Sequence, residues 1–455
     1  MKHRNILSFV CLAMLTILLL GSSRLVFAAV GDIERISIAT DGTQATGPSS
    51  YSSVSGDGRY VAFQSAASNL VAGDTNLSED IFVHDRQMNT TIRVSVSDSE
   101  EEANGRSTNP SISDDGRYVA FVSYASNLVA NDTNGSRDIF VRDLTLNTTV
   151  RVSVTSEEIE ANNNSYEVDI SPDGNYVVFS SDATNLVAGD TNDLQDIFVR
   201  DMSAGTTTRV SISNNGQEMT GGWGAYNSSI SGNGAYVAFV SDATNLVDSD
   251  TNGYYDVFVR DVNAATTTRV SVSSSGVQGN YQSGNGSPTS ISNDGRFITF
   301  GSSATNLVDN DTNDYNDIFV HDLDTGETIR VSVDSSGIEA NRNSEMSVIS
   351  GDGRYVAFDS FASNLVPGDF GGKDVFLYDT QENTITIISV DSNGIGGDGS
   401  SYYPAISADG CFVSFYSAAT NFVSDDINTV NDVFIKEVNA SQDQGYSFFL
   451  PLFRQ

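Results

Sequence analysis

The sequence predicts an all-β protein: a seven-bladed β-propeller of four-stranded antiparallel blades, its ring closed by the N-terminal strand completing the last blade. Three observations predict it. One motif is written seven times, its second strand restarting at Tyr60, Tyr118, Tyr176, Tyr236, Phe297, Tyr355 and Phe412 in steps of 58, 58, 60, 61, 58 and 57 residues. Each copy holds four strand-like runs bounded by turn residues. A lone fourth-strand sequence, Glu34-Arg35-Ile36-Ser37-Ile38, precedes the first copy, and the last copy lacks one. Units of this length cannot each bury a core alone, so they stack on their neighbours.

In chain order, residues 1–28 read as a secretory signal peptide. Lys2, His3 and Arg4 precede the apolar run from Ile6 to Leu20, and Val26-Phe27-Ala28 supplies small residues at a cleavage point. A retained anchor would need a longer apolar run. Cys11 lies inside that run and no Cys follows it for lipid attachment, so the mature chain keeps only Cys411 and forms no intrachain disulfide. A secreted, periplasmic or cell-surface location is expected, with no membrane span in the mature chain. Losing residues 1–28 removes three basic side chains and no acid, which takes the formal charge from −36 to −39. Such a surface repels nucleic acid and anionic lipid, and it suits divalent cations or simple solubility.

Residues 29–440 then form the propeller. In the second copy the first strand, Pro110-Ser111-Ile112-Ser113, is built of small residues and ends in an Asp-Gly turn. The second, Tyr118-Val119-Ala120-Phe121-Val122, is apolar on both faces, as a strand covered on both sides should be. The third, Ile139-Phe140-Val141, ends in Arg142-Asp143. The fourth, Val150 to Val154, alternates apolar and polar residues, which marks a half-exposed outer strand. A parallel β-helix has shorter rungs and no pair of tight hairpins in each repeat. Residues 441–455 form an apolar, aromatic tail too short to span a bilayer.

The runs Ser171-Pro172-Asp173-Gly174-Asn175-Tyr176-Val177-Val178-Phe179 and Asp196-Ile197-Phe198-Val199-Arg200-Asp201 resemble the TolB-like, WD40-like (PD40) β-propeller repeat family. The resemblance covers nearly all of the mature chain. It implies a propeller and a habit of binding other molecules, and no particular reaction. Two features depart from the family: the repeats are longer, and only Pro172 keeps the turn proline.

Antiparallel order puts the two short turns of a blade on one face and its two long loops on the other. Binding residues belong on such loops. The second-to-third loops carry Asp74, Asn76 and Asp80; Asp132, Asn134 and Asp138; Asp190, Asn192 and Asp196; Asp250, Asn252 and Asp256; Asp311, Asn313 and Asp317; and Asp426, Asn428 and Asp432. Asp-x-Asn-x-x-x-Asp places three oxygen-bearing side chains on a tight loop, as at the start of known calcium loops, and Ca²⁺ is the expected ion. The competing reading is that Asp and Asn cap turns while the last Asp pairs with an Arg. The sixth copy, Asp369-Phe370-Gly371-Gly372-Lys373-Asp374, loses the pattern and is expected to bind nothing.

The recurring Asn69, Asn127, Asn185, Asn245, Asn306, Asn364 and Asn421 are expected to cap loops. Arg93, Arg151, Arg209, Arg269 and Arg330 are expected to face Asp85, Asp143, Asp201, Asp261 and Asp322 across strands. The blade-to-blade loops are expected to present Tyr51, Tyr166, Trp223, Tyr226, Tyr281, Tyr402 and Tyr403 as ligand-face aromatics, suited to a glycan or peptide. The alternative is that these rings pack on the base of their own loops.

His84 and His321 occupy a slot filled elsewhere by Arg142, Arg200 and Arg260, which reads as an exposed strand end and offers no catalytic triad or His-rich metal site. The Ser-x-Asp-Gly turn is similar to the sialidase Asp-box but lacks the spacer before Gly. The expectation is a monomeric, exported, non-catalytic binding or scaffold protein whose acidic, loop-rich face takes protein or glycan partners. A polysaccharide hydrolase or lyase using carboxylates on that face is the alternative.

Overall fold

The structure, a computed structural model, describes residues 31–369 and 371–438. The expected signal peptide and the whole C-terminal tail lie outside the described residues. Seven four-stranded antiparallel sheets form the blades of a propeller. Strands are named here by blade (1–7) and by position, from first, nearest the axis, to fourth, outermost. The last blade takes its fourth strand from the N-terminus, with Ile33 opposite Lys436, Glu34 opposite Ile435 and Arg35 opposite Phe434. Pairing therefore begins one residue earlier than the lone sequence strand suggests, and Ile36 adds a bond to the Val433 carbonyl.

The second and third strands form the regular centre of each blade, for example Tyr118–Ser123 against Asp138–Asp143 in blade 2. Their central phenylalanines stack within the blade, as Phe121 on Phe140 at 5.9 Å between ring centroids. The core lies between blades. Ala62, Ile81 and Val83 of blade 1 close over Ile112, Val119, Phe121 and Phe140 of blade 2. Burying one such ring stabilises by roughly 1.5–3 kcal/mol.

The glycine of each Asp-Gly turn registers one blade on the next. Gly116 has φ 70°, and a Cβ there would meet the Tyr60 ring of the preceding blade at 2.1 Å. The same contact joins Gly58 to Phe412 and so seals blade 7 to blade 1. Below it, main-chain bonds run from blade to blade: Gly56 to Asp114, Asp114 to Pro172, Gly232 to Asn293, Asn293 to Gly351, Gly351 to Ala408, and Asp409 to Gly56. Pro172 has no N–H to give Gly232, so the belt has a gap between blades 3 and 4.

The strand ends differ from the sequence reading. In blade 2 the first strand starts earlier, at Ser107, and breaks register between Thr108 and Ser111. Asn109 sits in that bulge with φ 54°, as do Tyr51, Glu167, Asn227, Met346 and Tyr403 at the matching positions. The fourth strand ends at Arg151, because Ser153 turns inward to donate to Asp138 and draws the chain off the ladder.

Two expectations are corrected. Arg93 lies opposite Phe82, so it cannot reach Asp85; Asp85 pairs with Arg59 at 2.7 Å instead. The His84 slot is buried, because a hairpin preceding the blade covers it: His84 Nδ1 lies 2.9 Å from Thr91 Oγ1, which donates to the Ile38 carbonyl. Arg142 in the same slot reaches Ser97 and Glu100 of the corresponding hairpin.

Candidate functional site

The acidic loops are built alike in blades 1, 2, 3 and 5. In blade 2, Asp138 opens the third strand and accepts from the Ser153 hydroxyl. Asn134 gives its amide nitrogen to Asp138 at 2.9 Å and to the Ala161 carbonyl, while its oxygen accepts the Ser136 N–H. The asparagine thus shapes the turn and turns its nitrogen, not its oxygen, towards the acid. Arg151 enters from the fourth strand, with Nη1 2.6 Å from Glu160, 3.7 Å from Asp132 and 3.8 Å from Asp138. Sequence reasoning missed Glu160. It arrives on the blade-to-blade loop, and the same repeat position holds Glu102, Glu218 and Glu339.

Asp74, Asp80 and Glu102, Asp132, Asp138 and Glu160, and Asp311, Asp317 and Glu339 each bring three carboxylates within 4.8 Å. These buried acidic triads are close enough to hold a metal ion, and one guanidinium already stands among them. Burial, and then the neighbouring Asp138, push Asp132 up to about 6. Asp74, Asp190 and Asp311 are likewise raised to about 6. Burial opposes the Glu160 charge, yet the Thr133 N–H and hydroxyl and Arg151 hold it below its ordinary value.

Other blades vary the set. In blade 4, Gln278 donates to Asp250 and Asp256. In blade 7, Gln44 donates to Asp426 and Asp432, and Arg35 lies 3.9 Å from Asp426. Blade 6 puts Ile387 and Gly396 at the Arg and Glu positions, leaving Asp369 and Asp374 without a guanidinium. Burial pushes Asp374 up to about 6. The seven recurring asparagines cap loops as expected, Asn127 bridging the Asn104 N–H and the Glu102 carbonyl.

The candidate aromatics divide between strands and loops. Tyr51, Tyr166, Tyr226, Tyr402 and Tyr403 stand on first strands, and only Trp223 and Tyr281 lie on loops. Tyr51 packs on Tyr403 at 4.7 Å and Tyr402 on Tyr416 at 5.5 Å. Tyr166 faces Arg137 at 4.3 Å, Tyr226 meets Tyr255 edge-on, and Tyr281 packs on Tyr254 at 4.6 Å. Trp223 is 81% exposed.

The bulged first strands bring together a cavity of about 200 Å³ on the axis, lined by Tyr51, Asn109, Glu167, Asn227 and Tyr403 among others. These positions lie towards the loop-rich end of each first strand. At the short-turn end, burial and then the neighbouring Asp115 push Asp114 above its ordinary value, and the Asn293 side chain of blade 5 opposes that shift. Glu167 and Asp169 are surrounded by protein yet keep part of their surface open to the channel, and burial raises both above the ordinary carboxylate range. Both tie blade 3 to blade 4: Glu167 accepts the Asn227 N–H at 2.6 Å, and Asp169 accepts the Ile230 N–H at 3.1 Å. Of its lining the sequence marked only Tyr51 and Tyr403, because the other residues sit at a strand position where the copies disagree.

No protein-family model matches the chain, and no curated protein matches it in sequence. Among solved structures it is similar to an oligogalacturonate lyase in complex with manganese (12% identity, TM-score 0.53, 90% of this chain and 94% of that one). It is similar too to the β-propeller domain of the Trilobed protease from Pyrococcus furiosus (12% identity, TM-score 0.52, 87% and 99%), described as an open velcro topology. TolB from Acinetobacter baumannii shares 17% identity at a TM-score of 0.35 over 66% of this chain, which spans 65% of that protein's length. These likenesses concern the fold. They correct one expectation: a lyase and a protease use this scaffold, so an assignment as a non-enzyme does not stand. Among the described residues, no helix is long and apolar enough to cross a membrane.

Proposed function

We propose that this chain is an exported propeller of the TolB-like repeat class that binds a protein or glycan segment at the channel mouth on its loop-rich face. One observation carries the reading. Six bulges repeat the same backbone, yet hold Tyr51, Asn109, Glu167, Asn227, Met346 and Tyr403. Positions that serve folding, such as the Asp-Gly turn glycines, recur in every copy; side chains that differ on identical backbone around a cavity are free to serve recognition. Tyrosine faces, amides and one carboxylate give stacking surface and directional polar contacts. Calcium held by the acidic triads would stabilise the loops around that mouth.

The test is calorimetric titration of the mature protein with panels of neutral oligosaccharides and basic peptides, with turnover followed alongside. Truncating both Tyr51 and Tyr403 to Ala should weaken the ligand found by at least about tenfold. Equal affinity in that variant would move the site off the channel. Turnover that vanishes in Glu167→Gln would make the same cavity catalytic.

A further inference from the structure

Blade 6 lacks the Arg and Glu that pin the second-to-third loop in blades 1, 2, 3 and 5, and another cluster stands at the foot of that loop. Lys373 Nζ lies 2.8 Å from Glu345 Oε2 and 2.9 Å from Asp359 Oδ1. The Lys373 and Asp359 side chains are 5% and 0% exposed. The rings of Phe361 and Tyr402 stand 5.1 and 5.2 Å from Nζ. Asp359 Oδ2 accepts the Tyr403 N–H at 3.0 Å, while Oδ1 touches Nζ without making a hydrogen bond. No other copy places Lys, Asp and Glu at these three positions.

The geometry points to an intramolecular amide cross-link between Lys373 Nζ and Asp359 Cγ, formed with Glu345 as the proton carrier. The Lys373–Asp359 contact is buried, while Glu345 is 30% exposed at its edge; the reacting groups are in contact, and Cγ is one bond beyond Oδ1, within about 4.1 Å of Nζ. Burial alone would lower the Lys373 ammonium, but Asp359 and Glu345 hold it above its ordinary value, so the reaction starts by passing a proton from Nζ to Glu345. Burial also pushes Asp359 up to about 6, which makes its neutral, electrophilic acid form accessible. The amine attacks Cγ, and the Tyr403 N–H steadies the oxyanion on Oδ2. The proton on that acid form is the one Glu345 first took from Nζ and passed to Oδ1; after the attack Glu345 carries a second proton from the nitrogen to the Oδ1 hydroxyl. Of the three ammonium protons, two leave with Oδ1 as water and one stays on the amide nitrogen. The C–O bond breaks, the C–N bond forms, and nothing is oxidised or reduced. The link would staple the second strand of blade 6 to the entry of its third, replacing the ionic pins this blade lacks.

Mass spectrometry of the denatured, purified mature protein reads the outcome. The expected mass is lower by one water, and digestion should yield a branched peptide joining the Asp359 and Lys373 segments, which separates the link from dehydration within one segment. Lys373→Arg should restore the full mass. Glu345→Gln should restore it in most molecules while the circular dichroism stays that of a folded propeller. Separate, unlinked Asp359 and Lys373 peptides in the wild-type digest would overturn the proposal. Complete linkage in Glu345→Gln would remove Glu345 from it.

Discussion

At the residue scale, each acidic loop sets several carboxylates against one guanidinium. Asp74, Asp132, Asp190 and Asp311 have folded values near 6, above the ordinary 3.8. The folded state therefore binds protons more tightly than the unfolded chain, and these groups lower stability as pH rises from about 4 to about 6. Asp85, Asp143 and Asp379 are shifted the other way, Asp85 by Arg59 and the other two against burial by Arg117 and Arg354. Their contribution is complete above the ordinary value and is lost on further acidification. In the absence of metal, melting should accordingly be highest near pH 4, and Asp132→Asn should flatten the decline above it. Calcium competes with those protons, so millimolar ion should raise the melting temperature more at pH 7.5 than at pH 5. With free ion at about ten times its dissociation constant, each occupied site adds ~1.4 kcal/mol. A melting temperature indifferent to calcium and chelator at both pH values would leave Arg151 and its counterparts as the only cations these loops use.

At the element scale, the blade-to-blade seam rests on the Gly–Tyr contact. Gly116→Ala adds a Cβ against the Tyr60 ring at a positive φ, and should cost about 1–3 kcal/mol in denaturant unfolding. Gly135 shares the positive φ at 65° but has nothing within 4 Å, so Gly135→Ala should lose only the backbone preference, about 1 kcal/mol. Equal losses in the two would show that the ring contact contributes nothing. The strands themselves were legible in the sequence, because their apolar alternation repeats seven times. The interior of the His84 slot was not, since Arg142 at the same position suggests solvent until the covering hairpin is seen. Glu160 was equally hidden: it joins Asp132 through tertiary folding, and only a column-by-column reading of the repeat would have suggested it.

At the scale of the molecule, closure depends on a strand three residues long, Ile33–Arg35. Arg35 also reaches Asp425 at 2.9 Å, so this strand carries blade 7's only guanidinium among the described residues. Deleting residues 31–38 should free the edge of the third strand of blade 7 and abolish cooperative melting or cause aggregation. A deletion variant that melts as sharply, and at the parent temperature, would show that the ring needs no such clasp. The ring was legible from its two unmatched ends. The cavity at its centre was not, for it belongs to no single repeat.

The gap in the floor belt gives the ring a mechanical asymmetry. A hoop under strain yields at its weakest joint, and here that joint lies between blades 3 and 4, where Pro172 leaves the main chain without a bond to Gly232. Above the gap, two carboxylates, Glu167 and Asp169, tie blade 3 to blade 4. Every other joint in the floor is fastened by a main-chain amide; this one has none, and at the height where Ser53, Ser111 and Ser290 hold the next blade's N–H, a carboxylate, Asp169, does so here. The proline of the third copy's turn thus leaves the propeller a hoop with one open joint in its floor, between blades that two titratable side chains hold together on the channel wall above it.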